Sequence, residues 1–353
     1  MKKVLVEAYL SNNLGDDLFV EILTERYKNV EFTFNGGENS RIIEKKVNTK
    51  KGKFDFTKIS KYDAFVVIGG SLFQETGGII KWIKIWLKLF LKVIFFRLHR
   101  KKVVFIGFNF GPYKHKIFRI LYGFLFRFVN YLSVRDIESY NLFQNNNNMH
   151  VYPDIVFSSY ENNYSENDQR NSLGISIMDF GNKVNFQDDY EKLIINLIDN
   201  IDSDLTINAY AFQSSDNIND YLIIKKIEKH IHKKVIVHKY DGSNLKDFLE
   251  DFRNNKYMIT SRFHSLVLAM LYNQKFFSIS YNIKIDNLLR AVGLDKFKLV
   301  PNDFKNEKKI SWFIKNINKS LNDEHENYSE KLTKEFGEKS KKHFEYLDRI
   351  LGK

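Results

Sequence analysis

Short apolar runs that alternate with amphipathic stretches leave a chain few ways to bury its backbone. Ala64–Ile68 (AFVVI) and Val103–Phe108 (VVFIGF) are continuously apolar, the pattern of strands covered on both faces of a sheet. Val4–Ala8 and Val30–Phe34 read as further strands, with a helix over Leu18–Tyr27 whose N-cap is Asp16 or Asp17. Gly36-Gly37 through Gly52 reads as irregular. Leu132–Val134 is a strand followed by a helix to Phe143 with Asp136 as N-cap, and Val151–Phe157 follows. The alternation restarts after the polar stretch Ser158–Asn171: strands at Leu173–Ile177, Leu205–Ala209, Val235–Val237, Tyr257–Thr260 and Phe276–Ser280, helices at Tyr190–Ile201, Tyr221–Ile231 and Leu245–Phe252. Such alternation implies parallel sheets and an α/β fold. The expected layout is a Rossmann-like domain over 1–160, a second over 170–303, and amphipathic helices over 304–353 (Ile310–Ile317 and Tyr328–Leu351) that cross back to the first domain.

Composition narrows the function. The chain has 353 residues, no cysteine and a net charge of +12. Disulfides and thiolate metal sites are excluded. The lysines read as spread over the whole chain, as on a solvated surface. With no zinc-finger spacing, RNP-like pattern or basic zipper, nucleic acid is not an expected partner. The opening residues MKKVLVEAYLSNNLGDD lack the apolar core of a signal peptide, so a cytoplasmic location is expected. Asp202-Ser203-Asp204 mimics a metal-binding Asp-x-Asp but falls at the amino end of a strand, the wrong edge. His230, His232 and His238 read as solvated surface. No metal site is expected.

In an open parallel sheet, ligands gather at the carboxyl ends of strands and the amino ends of the following helices. Arg262, His264, Tyr281 and Lys284 all fall at such edges. Two cations, an imidazole and a phenol suit an anionic ligand handled with acid–base chemistry. The plainer alternative is that Arg262 pairs with a local carboxylate and His264 caps a helix. Gly69-Gly70-Ser71, Asn109 and Arg135 also close strands, and Asp154 is placed to orient a basic residue across the cleft.

Ile79–His99 (IIKWIKIWLKLFLKVIFFRLH) carries Lys81, Lys84, Lys88 and Lys92 along one helical face. Four lysines at membrane depth argue against a spanning helix. A membrane-surface helix fits, with the lysines at anionic headgroups, Trp82 and Trp86 at the interface, and Tyr122–Tyr131 extending the surface. Packing on the sheet with snorkelling lysines is the alternative.

Several blocks together resemble the polysaccharide pyruvyl transferase family. They are Asn13-Leu14-Gly15-Asp16-Asp17, Ile68-Gly69-Gly70-Ser71-Leu72-Phe73, Gly107 to Gly111-Pro112, Ser133-Val134-Arg135-Asp136 with Ser139, Pro153-Asp154, and Ser261-Arg262-Phe263-His264 followed by Ser280-Tyr281-Asn282-x-Lys284. The resemblance covers roughly residues 5 to 295. It departs at Ser71, where relatives often carry a third glycine, and at Ala209–Asp216, which offers no histidine. It implies a GT-B-like pair of parallel-sheet domains facing a cleft, and transfer of a pyruvate ketal from phosphoenolpyruvate to a sugar. The acceptor would belong to a bacterial-type surface polysaccharide or its lipid-linked precursor, met at the inner face of the membrane. Phosphoenolpyruvate is then the donor substrate and no cofactor is required. Arg262 and His264 would be catalytic. Arg135, Arg262, Tyr281 and Lys284 would bind the donor, and Asn13, Asp17, Gly70, Ser71 and Asn109 the acceptor. A GT-B glycosyltransferase using a nucleotide-sugar is the alternative with the same architecture.

Overall fold

A computed structural model describes residues 1–70, 72–160, 172–181, 184–201, 205–215, 218–322 and 330–353. The chain divides into two compact units. Unit 1 comprises Met1–Ser11, Gly15–Ser159 and Phe336–Lys353; unit 2 comprises Asn12–Leu14 and Tyr160–Glu335. The expected Asp202-Ser203-Asp204 mimic and most of the polar stretch between the domains lie outside the described residues.

Unit 1 opens with β1 (Lys2–Glu7), α1 (Leu14–Arg26) and β2 (Val30–Asn35). The segment expected to be irregular instead contains the short helix α2 (Arg41–Glu44) and an edge strand, β3 (Thr49–Gly52), paired in parallel with β2. Thr49 to Gly52 are polar and only half-covered, so apolar periodicity gave no sign of them. Then follow β4 (Ala64–Ile68), α3 (Ile79–Leu98), β5 (Lys102–Phe108), α4 (Lys116–Phe126), β6 (Tyr131–Val134), α5 (Ile137–Leu142) and β7 (Met149–Val151). All seven strands are parallel, in the order β3-β2-β1-β4-β5-β6-β7. The order reverses direction between β1 and β4, so that pair is the topological switch point. β4 is buried at every position, as its unbroken apolar run requires.

The helix start expected at Leu18 is earlier. α1 begins at Leu14, which places Asp16 and Asp17 in its first turn rather than at the cap. Acids there still suit the positive end of the helix dipole. Asp136 does cap α5, accepting the Ser139 N–H at 2.7 Å. Along α3, Trp82 is buried edge-on against Phe118 of α4, their ring centroids 5.2 Å apart, and Trp86 stacks on Phe90. Burial removes Trp82 from the interfacial role the sequence suggested, while Trp86 is half-buried. Lys81, Lys84 and Lys88 are exposed, but Lys92 turns inward to form an ion pair with Glu7.

Unit 2 contains β8 (Ser172–Ile177), α6 (Gln187–Asp199), β9 (Thr206–Ala211), α7 (Asp220–Ile227), β10 (Val235–Lys239), α8 (Leu245–Arg253), β11 (Tyr257–Thr260), α9 (Phe263–Leu271), β12 (Lys275–Ile279), α10 (Ile283–Ala291), β13 (Lys298–Leu299) and α11 (Glu307–Asn322). Its six strands are also parallel, ordered β10-β9-β8-β11-β12-β13, with the switch point between β8 and β11. Ile310, Phe313 and Ile317 of α11 join the core formed by Ile279 and Leu299. After α12 (Glu330–Lys341), α13 (Glu345–Leu351) lies in unit 1. There Arg26 binds Asp348 through two hydrogen bonds, at 3.0 and 2.6 Å.

His238 is not solvated surface. Its ring stacks on Tyr210 and reaches Asp251 and Asn208, each at 2.9 Å, which makes it a structural clamp beside β9. His232 is exposed, as expected.

Candidate active site

Unit 2 holds the Arg-x-His segment at its switch point. Thr260 ends β11, and Ser261 and Arg262 turn the chain into α9. The turn is pinned from β8. Ser176 Oγ accepts the Ser261 N–H at 2.8 Å, and the Ser176 and Ser265 hydroxyls lie 2.7 Å apart. Ser265 Oγ also accepts the Arg262 N–H at 3.2 Å and donates to its carbonyl at 2.7 Å. From α6 the Tyr190 hydroxyl donates to Ser261 Oγ at 2.9 Å. With all three serines buried, this is a preorganised backbone whose polar groups have partners.

Arg262 is 8% exposed, and each of its two amino groups is engaged. One donates to Asp220, the first residue of α7, and the other to Gln213 Oε1 at 3.3 Å. The Asp220 carboxylate also accepts backbone N–H groups from Asp179 (2.9 Å), Phe212 (3.1 Å) and Gln213 (3.0 Å). Burial pushes the Asp220 carboxyl above the ordinary aspartate range, while the guanidinium and the backbone donors pull the other way. Burial, the largest influence, works against the charge on Arg262, yet Asp220, Tyr281 and Tyr190 together raise its pKa. The plainer sequence alternative, a local carboxylate partner, therefore describes Arg262 in this structure.

His264 occupies the first turn of α9, half-buried, with its ring edge-on to Phe263 at 5.2 Å. Tyr281, half-buried after β12, packs edge-on against Phe180. Burial raises its hydroxyl pKa, and the charge on Arg262 opposes the rise. Lys284 follows in the first turn of α10, where the Asn282 side chain accepts its N–H at 3.0 Å. Asn13, expected on the acceptor side, belongs to unit 2. Its side-chain N–H donates to Gln213 Oε1 at 3.0 Å, the oxygen that also accepts from Arg262.

Unit 1 carries a second constellation at the carboxyl ends of its own strands. Gly69 and Gly70 follow β4 with φ of +68° and +66°, in the left-handed region that favours glycine. A Cβ on Gly70 would meet Asp16 Oδ1 at 2.6 Å, so the loop after β4 meets the first turn of α1 backbone to side chain. The side chain of Arg135, after β6, is buried and donates to Asp154 Oδ2 at 2.7 Å and to Asn109 Oδ1 at 2.8 Å. Asp154 does orient a basic residue, but that residue is Arg135 of the same unit and not one across the cleft, as the sequence suggested. Asn109 in turn donates to the Gly111 carbonyl at 3.2 Å. Asp17 is fully buried. Ser71 lies outside the described residues. Among the described residues no group of three acidic or histidine side chains is placed to hold a metal ion.

Sequence reasoning missed Asp220, Gln213 and Asp179. Asp220 carries one faint signal, an acid opening a helix. The contacts that make it important come from residues distant in the chain.

Two units, each an all-parallel sheet covered by helices, define the fold of GT-B enzymes. Solved structures of that fold match along the whole chain. The UDP-GlcNAc 2-epimerase from Methanocaldococcus jannaschii superposes with a TM-score of 0.60 at 13% identity, covering 100% of this chain and 99% of its own. Anabaena Alr3699/HepE, solved in complex with UDP, gives 0.58 at 11%, covering 100% and 98%. MurG from Acinetobacter baumannii gives 0.53 at 11%, covering 100% of both chains. No curated protein matches the sequence. The sequence profile of the polysaccharide pyruvyl transferase family matches residues 13–283, and the chain belongs to that family. It is accordingly a transferase enzyme.

Proposed function

We propose that the protein transfers the carbon skeleton of phosphoenolpyruvate to a sugar diol, forming a cyclic pyruvate ketal on a surface polysaccharide or its lipid-linked precursor at the inner face of the membrane. The observation that carries this reading is the Arg262-x-His264 segment, held rigidly at the switch point of unit 2 in a chain of this family. Two sugar hydroxyls add to the central carbon of the donor. One of their protons ends on the methylene carbon, making the methyl group, and the other leaves with inorganic phosphate.

His264 is assigned the proton transfers, a role for which imidazole is suited near neutral pH. Arg262 holds an anionic group of the donor while remaining fixed by Asp220. Because Asp220 offsets the charge of Arg262, the donor's phosphate and carboxylate also rely on Lys284 and the amino ends of α9 and α10. Tyr281 supplies a protonated hydroxyl. Arg135 serves the donor only by exchanging Asp154; with its present partners it positions Asn109. The acceptor side draws on Gly70, Ser71 and Asn109, with buried Asp17 in support, and Asn13 stands with the donor residues through Gln213. Phosphoenolpyruvate is consumed as substrate, and no cofactor enters the scheme.

The test is turnover of phosphoenolpyruvate with candidate glycans, read by mass spectrometry of the ketal and by phosphate release. His264→Ala is expected to lower turnover by about 10²–10⁴-fold. Near-wild-type turnover in both His264→Ala and Arg262→Ala would reject the reading. A nucleotide-sugar transferase is the competing reading, favoured by the fold shared with a UDP-bound structure. Thermal stabilisation by UDP- or GDP-sugars and not by phosphoenolpyruvate would decide for it.

A further inference from the structure

The positive charge of this chain is not evenly spread. Residues 76–135 contain thirteen of its 55 Lys and Arg and none of its 43 Asp and Glu, so acids outnumber bases by one in the remainder. The structure turns much of that segment into two neighbouring helices, α3 and α4, which pack through Trp82 on Phe118 and Phe90 on Phe124, the latter at 5.7 Å. Trp82, Leu89, Val93 and Phe96 form the buried face of α3. At 100° per residue, Ile80, Leu87 and Leu91 fall diametrically opposite them, and all three are exposed, Ile80 at 72%. On α4 the outward positions are Ile117, Ile120 and Phe124, with Ile120 at 58%. Each helix therefore has a second apolar stripe, pointing into solvent. Lys81, Lys84, Lys88, Lys116, Arg119 and Arg127 are exposed beside these stripes.

We infer that the outer faces of α3 and α4 together form a docking surface for an anionic phospholipid bilayer. Apolar stripes flanked by cations are what a helix needs to lie in the headgroup region, with its aliphatic side chains in the acyl boundary. No helix among the described residues is long and apolar enough to cross a membrane, so the surface would lie on the bilayer. Charge separates this partner from a second copy of the chain, since symmetric pairing of the same face would set its six cations against themselves. The surface differs from the arrangement expected from sequence. The aliphatic residues opposite the core provide the insertion, whereas Trp82 is buried and Lys92 is held by Glu7.

The assay uses the full chain and no substrate, so its outcome is separate from that of the pyruvyl-transfer reading. Co-sedimentation is measured with vesicles of phosphatidylcholine alone and with vesicles containing about one third phosphatidylglycerol. Binding is expected to the anionic vesicles only and to weaken with added salt. The triple variant Lys84→Glu, Lys88→Glu, Arg119→Glu is expected to bind at least about tenfold more weakly. The triple variant Ile80→Ser, Leu87→Ser, Ile120→Ser should lose binding similarly, with an unchanged thermal melt because none of these side chains is buried. Absence of binding to anionic vesicles, or binding that survives both variants, overturns the inference. So does a wild-type dimer in solution that the serine variant converts to a monomer.

Discussion

Asp220 and Arg262 form a buried ion pair at the carboxyl edge of the second sheet, the carboxylate opening α7 and the guanidinium preceding α9. The pair links the loop after β9 to the loop after β11 across the central strand β8. It sets the direction of the one arginine that the family resemblance places in catalysis.

Asp220→Asn tests that link. The amide keeps the shape but must present N–H to donors on one side, leaving the guanidinium without its counter-charge. Breaking one partner of a buried pair costs about 3–5 kcal/mol. The expected result is a loss of that order in urea unfolding, together with reduced turnover of phosphoenolpyruvate. A variant within about 0.5 kcal/mol of wild type would show that the pair does not hold the loop.

Two glycines separate backbone strain from crowding. Gly36 has φ +88° with open space where a Cβ would go, whereas Gly69 has φ +68° and its Cβ would sit 2.1 Å from the Phe19 ring. Gly36→Ala should cost about 1–2 kcal/mol, the price of a left-handed residue alone. Gly69→Ala adds overpacking of about 1–3 kcal/mol to that. Equal unfolding midpoints for the two variants would contradict the close packing of β4's end on α1.

His343 makes a pH prediction. Its ring is fully buried, donating from Nε2 to the Pro153 carbonyl at 2.8 Å and accepting the Ser133 hydroxyl at Nδ1 at 2.7 Å. Burial pushes its pKa down to about 4. The unfolded chain, titrating near 6.5, binds the proton more readily than the folded one between these values. Stability from this site is thus complete above about pH 6.5 and is lost as pH falls toward 4, by about 3 kcal/mol in all. Thermal melts of wild type and His343→Gln across that window should show a steeper fall for wild type. Parallel curves would mean the imidazole is not held neutral.

The uninterrupted apolar runs at Ala64–Ile68 and Val103–Phe108 were legible because a strand covered on both faces must be apolar at every position. Asp136 was legible as a cap because the bond it makes spans three residues. Arg135, Arg262 and His264 could be placed at strand ends by the same local pattern. The polar edge strand β3 was not legible, since it takes its order from pairing with β2 and not from burial.

Composition and periodicity alone determined most of the element types, the parallel sheets and the edges on which the candidate residues fall, because those depend on neighbours a few positions away. Only tertiary structure decided which charges are spoken for. That Arg262 faces Asp220, Arg135 faces Asp154 and Asn109, Lys92 faces Glu7, and Ile80 faces solvent depends on residues that meet only when the sheet and its helices close together. A buried charge must find an opposite partner wherever the fold supplies one, and linear spacing carries no record of that choice.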